Sequence, residues 1–120
     1  MSGINRELTP DQRTSLFDKH LPETAQVQRL LRKEGKAHVF NDRATMDVVI
    51  QAIIDRGELT GIEDETDDYD RYGLYFDYPI GYQIRADGSR IPLYYAEIKI
   101  IKGTDNYHVI PRTKPRRTNQ

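Results

Sequence analysis

A chain of 120 residues is the size of one domain, and a second core would leave too little chain for either. Only 37% of the residues are hydrophobic and 31% are charged, so the core is thin, although eight Tyr and three Phe bring large rings to it. The absence of cysteine excludes disulfides, a thiol nucleophile and thiolate-bound metal. The net charge of −1 conceals a segregation: residues 63–70, Glu-Asp-Glu-Thr-Asp-Asp-Tyr-Asp, are acidic, while Arg112 to Arg117 is basic.

The chain opens without the apolar run of a signal peptide, and no stretch approaches the ~20 apolar residues that span a bilayer. The expectation is a cytoplasmic protein with no membrane partner.

Thr9-Pro10-Asp11-Gln12 has the order of a helix start, with a Thr cap, Pro at the first helical position and Gln three residues after the cap, and predicts a short helix to Asp18. Pro22 opens a second helix with Val27, Leu30 and Leu31 on one face, stopped by Gly35 after Arg32 and Lys33. The strongest helical period runs from Asp42 to Arg56. Met46, Val49, Ile50, Ile53 and Ile54 form its stripe, Asn41 or Asp42 caps it, and Gly57 ends it. Leu59 to Asp70 has no apolar period and reads as a loop.

From Tyr72 the period becomes two. Leu74, Phe76 and Tyr78 alternate with Tyr75 and Asp77, and Ile80, Tyr82 and Ile84 with Gly81, Gln83 and Arg85. Asp87-Gly88 predicts a hairpin turn that sends Ile91 to Ile101 back antiparallel, with Pro92 restricting its start to an edge or bulge. Tyr107 to Pro111 is the fourth strand. The expected fold is α+β, with two or three N-terminal helices packed on one face of a four-stranded antiparallel sheet. The expected domain is single: a helical layer over residues 1–35, a helix-and-sheet core over 36–113 and a basic tail over 114–120.

If that sheet has one wet face, Tyr75, Asp77, Gln83, Arg85, Tyr95, Glu97 and Lys99 share it, joined by His108, Ile110 and Arg112 of the last strand, with Thr113 at its end. Polar residues are ordinary on such a face, and a strand histidine is more often structural than catalytic. The same types also serve metal-free RNA cleavage. A base near neutral pKa takes the ribose 2′-hydroxyl proton, a cation stabilises the phosphorane, and an acid protonates the leaving 5′-oxygen. Aromatic rings stack on unpaired bases. His38 precedes the main helix and is placed to project across the end of the sheet. No metal-binding, phosphate-loop or esterase motif is present, so no cofactor or metal is expected.

From His38 onward the layout resembles the barnase, EndoU, colicin and RelE-like (BECR) group of small RNases, found as toxin domains in bacteria. The elements that carry it are His38-Val39-Phe40 leading into the main helix, Ile80-Gly81-Tyr82, and the closing Tyr107-His108-Val109-Ile110-Pro111-Arg112-Thr113. The resemblance covers roughly residues 36–115 and implies a metal-independent endoribonuclease with His38, His108, Arg112 and Thr113 as catalytic residues. Thr113 here follows the Pro of the closing strand, whereas such toxins usually place it before. Arg85, Tyr95, Lys99, Lys114 and Arg116 would contact RNA, and a cognate immunity protein would be a partner. Two other readings remain open. One is a non-catalytic RNA- or protein-binding module; the other is an inhibitor whose acidic loop mimics nucleic acid.

Overall fold

The computed structural model describes residues 3–10, 20–60 and 68–114. Within them the chain order is β1 (Thr9–Pro10), α1 (Ala25–Glu34), β2 (Lys36–Phe40), α2 (Arg43–Arg56), β3 (Glu58–Thr60), β4 (Tyr69–Tyr75), β5 (Gly81–Arg85), β6 (Arg90–Leu93), β7 (Tyr95–Ile101) and β8 (Asn106–Arg112).

Thr24 caps α1, its hydroxyl accepting from Val27 N, and Gly35 ends it in the left-handed conformation that its missing Cβ permits, donating to Leu31 O. The apolar stripe Val27, Leu30 and Leu31 packs on Ala37 and Val39 of β2 and Ile84 of β5. Asp42 caps α2 through a 2.7 Å bond from Thr45 N. Met46, Val49 and Ile53 of α2 are buried against Ala96, Ile98 and Ile100 of β7 and Val109 of β8, with Phe40 and Ile80 in the same cluster. Both helices follow their periodicities, although α1 begins at Ala25 behind its Thr24 cap and not at Pro22 as expected.

The sheet expectation is corrected. The α+β character holds, but the strands make two sheets, one of five in the order β1-β8-β7-β4-β3 and one of three in the order β2-β5-β6. The expected single four-stranded antiparallel sheet, with all helices on one face, does not form. Thr9–Pro10 is a strand paired parallel to β8, not a helix start; the rest of that expected helix lies outside the described residues. Lys36–Phe40 leads into α2 as expected, but it is itself a strand, which the sequence did not indicate, and it pairs antiparallel with β5. The expected loop after Leu59 begins with β3, and β4 starts at Tyr69 and pairs with both β3 and β7.

The run from Ile91 to Ile101 is divided between the sheets. Its first part pairs with β5 across the Asp87-Gly88 turn, with Pro92 on the edge strand of the small sheet, and its second part lies between β4 and β8. The break falls at Tyr94, whose carbonyl accepts from Phe76 N as Leu93 O accepts from Ile80 N. Because β5 belongs to the small sheet, Gln83 and Arg85 do not share a face with Glu97 and Lys99. Nor is the middle of the face opposite α2 wet: Tyr95 and Glu97 are covered, and Arg71 and His108 nearly so, while Tyr75 at its edge is exposed. No helix among the described residues is long and apolar enough to cross a membrane.

Gly81 sits at a close approach of β5 to β2, since a Cβ there would run into the Val39 carbonyl oxygen and the Phe40 backbone. Backbone cannot swing aside as a side-chain tip can. Gly81→Ala is expected to lower the unfolding free energy by about 1–3 kcal/mol, read as a shift of the urea midpoint; unchanged stability would show that the two strands tolerate a wider spacing.

Candidate active site between the two sheets

Across the face of the large sheet turned away from α2, the registers set side chains in rows. Tyr75, Tyr95 and Arg112 are neighbours, then Gly73, Glu97 and Ile110, then Arg71, Lys99 and His108. Glu97 occupies the middle with no solvent exposure. A carboxylate so buried must be compensated, and two diagonal neighbours do it: Arg71 Nη1 donates to Oε1 at 2.7 Å and Arg112 Nη1 to the same oxygen at 3.3 Å. The Oε2 oxygen has no hydrogen-bond partner among the described residues.

Gly73 lies directly opposite Glu97 and leaves its place to the Tyr95 hydroxyl, which a Cβ would displace. Burial, with the Glu97 charge second, keeps that phenol protonated far above its ordinary value of 10. Beside the ion cluster, the Tyr69 ring receives Lys99 Nζ over its face at 4.1 Å and meets the His108 ring edge-on at 5.8 Å.

The small sheet approaches this face at β2. His38 reaches across to β8, its Nδ1–H donating to Pro111 O at 3.2 Å. A carbonyl can only accept, so this bond assigns the proton to Nδ1 and leaves the lone pair on Nε2. Gln83, the cross-strand partner of His38, donates to that Nε2 from its amide nitrogen at 3.0 Å, and Arg85 Nε donates to the Gln83 carbonyl oxygen at 3.2 Å. Burial pushes the imidazole below its ordinary 6.5; the Pro111 bond opposes this, and the Lys36 and Arg112 charges add to the lowering. His20 donates from Nδ1 to His38 O at 2.9 Å, and its own carbonyl accepts from Phe40 N.

Between the sheets lies a cleft of about 350 Å³ lined by His20, Lys36, His38, Lys99, His108 and Arg112, with apolar walls from Leu30, Ala37, Ile110 and Pro111. All three histidines of the chain line it, with three cations and one carboxylate, Glu34. His108 is three residues from Pro111, roughly 10 Å of strand, so His38 and Arg112 lie toward one end of the cleft and His108 and Lys99 toward the other. Among the described residues no group of three His, Asp or Glu is placed to hold a metal ion.

Of the residues singled out in the sequence, His38, His108, Arg112 and Lys99 meet here. Thr113 and Lys114 are exposed just past β8 and do not line the cleft. Arg85 is exposed and acts on Gln83, Tyr95 is buried beside the ion cluster, and Arg116 lies outside the described residues. Three further residues belong to the construction of the site: Arg71, which the sequence did not single out, and Glu97 and Gln83, which were placed on the polar face without a role. Glu97 had a signal, since a carboxylate flanked by Tyr95, Ala96 and Ile98 in an apolar strand is expensive to bury and so is seldom idle.

Glu97→Ala removes the carboxylate from two guanidiniums, one of them almost wholly buried, and is expected to cost about 3–5 kcal/mol; a loss under 1 kcal/mol in urea unfolding would show that the cluster contributes little. A second expectation concerns pH. Folded His38 favours the neutral form, so between its lowered value and 6.5 the unfolded chain holds more protons. Its contribution to stability is complete above pH 6.5 and is lost as the pH falls through that window. Urea midpoints from pH 7.5 to 5 should fall more steeply for the native chain than for His38→Gln, and parallel slopes would contradict the assignment.

Among curated proteins and among solved structures, none matches the chain. A family model described as a domain of unknown function, DUF6972, matches residues 6–116. The chain therefore belongs to the DUF6972 family.

Proposed function

We propose that the chain is a metal-independent endoribonuclease of toxin type, acting on RNA of the cytoplasm, with its centre in the cleft between the sheets. The observation that carries this reading is the convergence of all three histidines with Lys36, Lys99 and Arg112 on one cavity. A cavity of this size suits a small ligand group, and its cations suit a phosphate.

In this reading His38 is the base. It is held neutral with its lone pair on Nε2, as a base must be before it takes the proton of the 2′-hydroxyl. The 2′-oxygen then bonds to phosphorus and the bond to the 5′-oxygen breaks, leaving a 2′,3′-cyclic phosphate. Arg112, oriented from beneath by Glu97, faces the charge that grows on the phosphoryl oxygens. His108, at the other end of the cleft beside Lys99, is the group that returns a proton to the departing 5′-oxygen, and Lys99 adds a second cation there.

Purified protein in EDTA, incubated with total cellular RNA, is expected to yield discrete fragments ending in cyclic phosphate. His108→Ala and Arg112→Ala should each reduce the rate by about 10²–10⁴ while the far-ultraviolet circular dichroism stays native. Intact RNA after incubation with folded native chain would overturn the reading, and salt-sensitive RNA binding without cleavage would favour a binding module in its place.

A further inference from the structure

We propose that Gln83 and Arg85 are positioning residues that, acting with the Pro111 carbonyl, hold His38 protonated at Nδ1 and keep its second nitrogen free of a proton. The role of His38 as a base rests on the function proposed above; the proton arrangement does not.

Hydrogen-bond polarity is set along one chain of groups, from Arg85 through Gln83 and His38 to Pro111. Arg85 has only donors, so its Nε–H at 3.2 Å determines that the Gln83 amide oxygen faces it. The amide nitrogen is then turned to His38 Nε2, at 3.0 Å, and has only hydrogens to offer. At the other side of the ring the Pro111 carbonyl accepts and requires a hydrogen on Nδ1. Every acceptor in the series meets one donor only when His38 is neutral and protonated at Nδ1. A second proton on Nε2 would point at the amide hydrogens. Relieving that clash requires Gln83 to turn over, which would aim its nitrogen at the Arg85 guanidinium and exchange one donor clash for another.

The sequence places these groups by register rather than by proximity along the chain. His38 and Gln83 are direct partners between β2 and β5, and Lys36 pairs with Arg85 two positions along, on the same face. Gln83 is largely buried, so water does not readily replace it. The charged and titratable groups around the ring are Lys36 on its own strand, Arg85 on β5, Arg112 on β8, His20 before α1, and Glu34 on α1 at the cleft wall. Cations outnumber the carboxylate, and they act in the same sense as the amide. In the free protein the amide covers the basic nitrogen. A substrate hydroxyl, itself a donor, can take its place without any change in the protonation of the ring.

The test compares native protein, Gln83→Glu, Gln83→Leu and Arg85→Ala, each checked for native circular dichroism, by following His38 ring nitrogens in ¹H–¹⁵N spectra against pH. The native ring is expected to show a protonated Nδ1 and an unprotonated Nε2 at neutral pH and to titrate below 6.5. In Gln83→Glu a carboxylate accepts from both Nε2–H and Arg85, and the midpoint should rise by at least one pH unit, a tenfold change in the protonated fraction at fixed pH. Gln83→Leu and Arg85→Ala should each shift the midpoint upward by a smaller amount, the Pro111 bond still keeping the proton of the neutral ring on Nδ1. An unmoved midpoint in folded Gln83→Glu, or a native ring protonated at Nε2, overturns the proposal.

Cleavage is read separately. If the acid limb of the rate against pH moves with the His38 midpoint, Gln83 positions the base. If the midpoint moves and the limb does not, His38 is not the base and the positioning role in catalysis fails. Cleavage by none of the proteins, with the midpoint moved, sinks the ribonuclease reading and leaves the proton arrangement supported.

Discussion

One buried carboxylate organises the centre of this protein. Glu97 stands in the middle strand of the large sheet, cut off from water on both faces, and its charge is tolerable only because Arg71 from β4 and Arg112 from β8 converge on the same oxygen. The three central strands are thus tied by an ion cluster as well as by backbone hydrogen bonds. An apolar residue of similar shape would serve packing as well or better. What the carboxylate adds is orientation: the Arg112 guanidinium is held at the cleft with one donor engaged below and others left for whatever enters.

The rest of the cleft depends on that arrangement. Gly73 leaves room opposite Glu97, the Tyr95 phenol fills it, and Tyr69 places its ring where Lys99, Arg71 and His108 all meet it. The small sheet supplies the opposite wall. Its strand β2 is shared between two apolar clusters: Ala37 and Val39 face α1, and Phe40 enters the core under α2. His38, between them, is left to bridge to Pro111 on β8. The hydrogen bonds of His38 therefore join the two sheets as well as setting the state of its ring. Loss of β2 packing would be felt at the cleft.

Local signals in this sequence are good where a single element decides the outcome. The helical stripes of α1 and α2, the cap at Asp42, the stop at Gly35, the Asp87-Gly88 turn and the alternation of β7 and β8 are all readable, because each depends on neighbours within a few residues. Four of the site residues followed from the alternation and from the resemblance of layout: His38, Lys99, His108 and Arg112. The errors share one cause. Lys36–Phe40 is a strand only because β5, more than forty residues later, runs beside it. Thr9–Pro10 has the composition of a helix start and is drawn into a strand by β8, near the other end of the chain.

Residue order alone defines the amphipathic elements and the chemistry available on them: three histidines, a basic closing strand, no thiol. Which faces meet is settled by long-range packing. Periodicity tells a strand which side is apolar but not which strand is its neighbour, nor that an unbroken run such as Ile91 to Ile101 will divide at Tyr94 between two sheets. That division removed Gln83 and Arg85 from the face of Glu97 and set them behind His38. A face expected to be wet became the buried floor of a cleft, because a second sheet, assembled from contacts distant in sequence, closes over part of it.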